Sequence, residues 1–146
     1  MDKISWCKEQ KNGIRLVEPN ERVGREYIKE ADIDLKNISG SMPKWKVISG
    51  YYACYNAFYA ILQKIGIKSE IHDCSIDLIT YFEEVSGFKR FLRELKKNRI
   101  GVQYYLKEPT NVDTESIQLF ILGCKEIFND LSPERIKEIR EHIEKI

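Results

Sequence analysis

Between Lys44 and Gly66 the chain reads KWKVISGYYACYNAFYAILQKIG, with apolar or aromatic residues at Val47, Ile48, Tyr51, Tyr52, Tyr55, Phe58, Tyr59, Ile61, Leu62 and Ile65. These are too many for one stripe of a helical wheel, and a helix that is apolar nearly all round is a buried one. Pro43 suits a helix start and Gly66 a helix stop. The pattern therefore predicts a core helix of about 22 residues, roughly 33 Å long. Ala53, Ala57 and Ala60 thin one side for a close neighbour, while Ser49, Asn56 and Gln63 recur at intervals of seven. A mid-helix Asn needs a hydrogen-bond partner. Ser49, Gly50, Asn56, Gln63 and Lys64 interrupt the apolar run well before about 20 residues accumulate, so no membrane span is expected.

The flanking segments carry narrower stripes. Residues 1–18 hold Trp6, an Asn12-Gly13 turn and the run Ile14, Leu16, Val17, which together predict an arm packed on the body, with strand-like alternation confined to it. Asn20 caps a helix with Val23, Tyr27, Ala31, Leu35 and Ile38 at helical spacing. After the core helix, a short connection leads into a third helix capped by Asp73 or Ser75, burying Ile76, Ile79 and Phe82 and ended by Ser86-Gly87. A fourth begins near Phe88, carries Phe91, Leu92, Leu95, Val102 and Leu106 on one face, and is closed by Pro109. A fifth runs from about Asp113 with Ile117, Phe120, Cys124, Ile127, Phe128 and Leu131. Ser132-Pro133-Glu134 then opens a C-terminal helix over 133–146, with Ile136, Ile139, Ile143 and Ile146 in a narrow stripe. The expected fold class is all-α: one domain over residues 1–146, an up-and-down bundle of four to five main helices plus the short C-terminal one.

Composition changes this picture little. With 146 residues the chain is long enough to bury a core without staples, and 42% hydrophobic with 32% charged residues excludes disorder. A net charge of +1 leaves any basic site local. No secretory signal pattern is visible at the start, which predicts a cytoplasmic protein. Cys7, Cys54, Cys74 and Cys124 form no CxxC pair and read as buried, inert thiols. His72 and Cys74 could join Cys7 at a metal, but a fourth ligand is missing, so neither metal nor cofactor is expected. Abundant Lys, Glu and Ile with scarce Gln is a weak sign of thermophily.

Candidate chemistry concentrates on the fourth helix. Extending its buried stripe from Leu95 lands on Arg99 and then Val102, with Gln103 one turn beyond Arg99. A core-facing guanidinium requires a carboxylate, a cleft or another subunit. Either it sits in a buried ion pair or on a snorkelling stem, or it anchors a phosphate or carboxylate. Around it KRFLRELKKNR sets Lys89, Arg90, Arg93, Lys96, Lys97 and Arg99 against Glu94 alone, a local +5. Lys89, Arg93, Lys96 and Lys97 share a face and form a basic ridge suited to RNA or polyphosphate, or else a solvated surface. Tyr104 and Tyr105 could stack on a base or donate a proton, and at most one shares the Arg99 side. His72 is placed before a helix cap and His142 among charges. No GxGxxG, P-loop, HExxH or zinc pattern is present.

Three pieces in order, KNGIRLVEPN, SGYYACYNAFYAILQKIGIKSEIHDCSID and RIGVQYY, give the chain its resemblance to the HEPN superfamily (higher eukaryotes and prokaryotes nucleotide-binding), in particular to archaeal and other prokaryotic stand-alone members. The resemblance covers about residues 1 to 130. It implies a homodimer in which two motifs, each an arginine and a histidine with four to six residues between them, meet in one cleft as a metal-independent ribonuclease. Arg99 matches the arginine, but Tyr104, Tyr105 and Leu106 stand where the histidine belongs, and Ile100 replaces the polar residue that often follows the arginine. Tyrosine, with an unperturbed pKa of about 10, exchanges protons poorly at neutral pH. The expected function is therefore a nucleotide-, RNA- or partner-binding module without efficient catalysis, using Arg99, Gln103, Lys96, Arg93 and Lys89. The alternative is a ribonuclease toxin with a degenerate motif, using Arg99 with Tyr104 or His72. The resemblance also implies a minimal nucleotidyltransferase as partner in a toxin-antitoxin pair, with Tyr104 or Tyr105 as the modified tyrosine.

Overall fold

A computed structural model describes residues 2–146. It is an all-α helical bundle with one minimal sheet. The helices are α1 (Lys3–Glu9), α2 (Glu21–Ile38), α3 (Pro43–Ile65), α4 (His72–Asp77), α5 (Lys89–Tyr104), α6 (Thr114–Asp130) and α7 (Pro133–Lys145); β1 (Arg15–Leu16) pairs antiparallel with β2 (Ile67–Lys68). α3 is the axis and packs against α2, α5, α6 and α7. Tyr51, Ala53, Cys54, Ala57, Phe58, Ala60, Ile61, Leu62 and Ile65 on it are essentially inaccessible. Its mid-helix Asn56 donates to the Asp34 carboxylate of α2 at 2.9 Å, the partner such a residue requires. Among the described residues no helix is long and apolar enough to cross a membrane.

Local signals hold at most helix ends. Asn20, Asp113 and Ser132 each accept a hydrogen bond from the backbone N–H three residues on, and Pro43 and Pro133 occupy first turns. Gly66 ends α3 with φ of 92°, a conformation that costs glycine nothing. Its carbonyl accepts from Val17 N–H and from Arg140, which also donates to the carbonyls of Val17 and Ile65. Through Arg140 and buried Ile139 and Ile143, α7 is docked on the bundle.

Three expectations need correction. The third helix is only the short α4, with no side-chain cap from Asp73 or Ser75; the chain continues as 3-10 turns at Leu78–Tyr81 and Ser86–Phe88 while still burying Ile76, Ile79 and Phe82. Asp73 is drawn instead to Lys96, and Ser75 is buried under Tyr55. α5 stops at Tyr104, before Pro109, because Leu106 turns to φ of 53° and Lys107 N–H bonds back to the Gly101 carbonyl. Leu106 is consequently exposed and not on the buried stripe. Finally, Cys7 and Cys74 are joined in a disulfide, 2.00 Å between sulfurs, while Cys54 and Cys124 remain buried thiols whose pKa values burial pushes up. The bridge ties α1 to α4 across 67 residues of sequence, a proximity that only tertiary structure creates. No group of metal-ligating side chains occurs among the described residues.

Candidate functional site

α5 lays Leu92, Leu95 and Val102 into the core, and Arg99 shares that face at 7% exposure. Its Nη1 donates to the Tyr52 hydroxyl and to Gln103 Oε1, both at 3.3 Å. The guanidinium carbon lies 4.9, 5.4 and 5.8 Å from the ring centroids of Tyr51, Tyr52 and Tyr104. Nε is buried with no hydrogen-bond partner. Among the described residues no carboxylate pairs with Arg99, so the ion-pair expectation is not met. Cation–π contacts contribute about 2 kcal/mol when desolvated, whereas withdrawing such a cation from water costs several kcal/mol. The site holds an uncompensated positive charge.

The structure adds a histidine that sequence spacing set apart. His72, the first residue of α4, places Nδ1 2.6 Å from the Tyr51 hydroxyl in a hydrogen bond. Its ring stacks on Tyr55 with centroids 4.1 Å apart and meets Tyr52 edge-on. Tyr51 and Tyr52 thus touch both the imidazole and the guanidinium. Burial, then the charges of Arg99 and Lys96, push the His72 pKa down to about 4, with Asp73 opposing. It is neutral at pH 7. Burial also raises the pKa values of Tyr51 and Tyr55, so both phenols keep their protons. The signal that could have drawn attention to His72 was the tyrosine row of α3, whose i, i+4 spacing leaves a polar-edged aromatic wall needing a flat, polar neighbour.

The basic ridge is largely partnered. Asp77, almost fully buried, pairs with Lys89 at 3.3 Å and with Arg93, and Asp73 pairs with Lys96 at 2.7 Å. Both carboxylates come from α4 and reduce the local +5 to +3. Tyr104 and Tyr105 are 64% and 71% exposed and diverge as neighbouring helical positions must: Tyr104 lies over Arg99 while Tyr105 lines a cleft on the next flank of α5. His142 packs edge-on against Tyr81, apart from this cluster.

The depressed His72 pKa has a measurable consequence. Below pH 6.5 the unfolded chain binds a proton that the folded chain refuses until about pH 4. Its stabilising contribution is therefore complete above pH 6.5 and is lost as pH falls toward 4. The full linkage of about 3 kcal/mol shrinks to about 1 to 2 kcal/mol for a ring that solvent partly screens. Urea midpoints measured from pH 7 to 4.5 should fall more steeply for the wild type than for His72→Gln. Parallel curves would refute the assignment.

Comparison of the chain with protein-family models, with curated proteins and with solved structures gives no match in any of the three.

Proposed function

We propose that the protein is a HEPN-type module that binds the phosphate of a nucleotide or RNA at Arg99 without efficient turnover. One observation carries this reading: a buried guanidinium with an unpartnered Nε, no carboxylate partner among the described residues, and two long bonds to neutral oxygens. A phosphate offers the planar fork the anionic, bidentate acceptor it lacks. The Tyr52 and Gln103 bonds, at 3.3 Å, are weak enough to exchange for it. Tyr104, exposed above the guanidinium, is placed to cover the bound group or to stack on its base.

A second reading, a metal-independent ribonuclease, is favoured by His72, which shares Tyr51 and Tyr52 with Arg99. An imidazole of pKa about 4 is a feeble base and is no acid at neutral pH, which is why binding leads. A homodimer and a minimal nucleotidyltransferase partner belong to the proposal through the family resemblance; the exposed phenols of Tyr104 and Tyr105 leave either open to modification. A disulfide such as Cys7–Cys74 persists in oxidising compartments and in intracellular proteins of hyperthermophiles.

Fluorescence anisotropy of a labelled oligouridylate in EDTA, with uridine monophosphate as competitor and the same samples run on a gel, tests the reading. Binding of both without cleavage is expected. Binding of neither would overturn it, and cleavage lost in His72→Gln would establish the ribonuclease.

A further inference from the structure

Next to the Arg99 face, on the adjoining flank of α5, lies an open cleft of about 570 Å³ between α1, α4, α5 and the turn that follows α5. Five cations and two carboxylates border it. Both carboxylates are occupied: Asp73 by Lys96, Asp77 by Arg93 and Lys89. Lys3, Lys97 and Lys107 remain, each from a different segment and none with a carboxylate partner among the described residues. Concentrating unpaired ammonium groups around one concavity raises its positive potential and its local concentration of anions.

The backbone is shaped to bring these groups together. Lys107 reaches the cleft because Leu106 adopts φ of 53° and the N–H groups of Tyr105 and Lys107 both bond to the Gly101 carbonyl. The Lys107 side chain lies close over the helix at Gly101, where a Cβ would meet its Cδ at 3.1 Å. A left-handed leucine is an unfavourable conformation that the surrounding bonds must hold. Across the cleft, Lys3 stands on α1, which the Cys7–Cys74 bridge fastens to α4. The exposed ring of Tyr105 supplies a stacking platform beside the cations. Lys96 joins the two regions: its ammonium bonds to Asp73 in the cleft, and its charge acts on His72 beside Arg99.

We propose that this cleft is a second phosphate subsite, and that the ligand is a single nucleic-acid strand with one phosphate at Arg99, another among Lys3, Lys97 and Lys107, and a base on Tyr105. The inference rests on the reading of Arg99 as a phosphate anchor. It extends that reading from a mononucleotide to a strand.

The test compares the full-length wild type with Lys97→Ala/Lys107→Ala, both positions being exposed, by anisotropy of a labelled twelve-nucleotide oligouridylate across a salt series. Uridine monophosphate and inorganic tripolyphosphate serve as competitors. Each phosphate contact to a single strand contributes about −0.7 to the slope of log affinity against log salt. The variant should bind the strand about tenfold more weakly, with a slope shallower by about 1.4, while competition by uridine monophosphate stays within about twofold of the wild type. An unchanged slope and affinity would overturn the subsite while leaving Arg99 standing. Failure of the wild type to bind even uridine monophosphate would remove the Arg99 anchor itself. Tripolyphosphate competing as strongly as unlabelled oligouridylate would overturn the strand in favour of a compact polyphosphate.

Discussion

Arg99→Met should unfold at a urea concentration equal to or above that of the wild type, yet bind oligouridylate at least about 100-fold more weakly. The two halves of this expectation come from the same geometry. Arg99 is charged, 7% exposed, and faces three aromatic rings with no anion among the described residues. Replacing a whole buried ion pair by apolar residues of similar volume is often neutral or stabilising by about 1 to 4 kcal/mol, and a buried cation without an anion lacks even the pair's attraction to offset its desolvation. Against that stand lost cation–π contacts of about 2 kcal/mol and two 3.3 Å bonds whose acceptors, on Tyr52 and Gln103, are only half-buried and can take water. Methionine also packs well against aromatic rings. For the ligand the balance is different. A bidentate guanidinium–phosphate contact comprises two charge-assisted bonds of about 1.5 to 3 kcal/mol each, enough for the stated loss. A guanidinium serving stability alone would give the reverse result: a clear fall in the urea midpoint with unchanged affinity. That outcome would sink the phosphate reading.

What the sequence disclosed and what it concealed divide along the reach of the interactions. The α3 core, the caps at Asn20, Asp113 and Ser132 and the stop at Gly66 depend on residues within one helical turn, and their periodicity or capping chemistry is written locally. Arg99 was legible for the same reason, as a cation breaking an apolar stripe. Its surroundings were not. His72 reaches it by way of Tyr51 and Tyr52 on another helix, and the acids that offset the basic ridge come from α4. The disulfide depends on the placing of two short helices that have little structure on their own. Leu106 misled in a further way: its spacing continues the α5 stripe, but the bonds from Tyr105 and Lys107 to Gly101 end the helix first.

Cys7→Ser/Cys74→Ser should lower the melting temperature by about 8 to 15 °C and release α1. A bridge closing a 67-residue separation restricts the unfolded chain by about 4 kcal/mol in the loop-entropy picture, and each kcal/mol shifts a protein of this size by about 2 to 4 °C. α1 has only seven residues, too few to persist as an isolated helix. Its other ties include bonds from Lys8 to the carbonyls of Ile143, Ile146 and Glu144 at 2.6, 2.7 and 3.3 Å, the bond from Ile14 N–H to the Cys7 carbonyl at 3.0 Å, and the partial burial of Ile4. Scanning calorimetry would give the first result. Amide exchange over residues 3–9, faster in the variant at temperatures where the bundle stays folded, would give the second. A melting temperature within about 2 °C of the wild type would show that those ties suffice and that the bridge is dispensable. The loss should reach function through Lys3 alone. With α1 free, one of the three unpaired ammonium groups leaves the cleft, so the salt slope for oligouridylate should become shallower by about 0.7, while competition by uridine monophosphate at Arg99 stays close to that of the wild type. Equal loss of strand and mononucleotide binding would mean instead that the bridge positions His72, two residues from Cys74, and through it the Arg99 site.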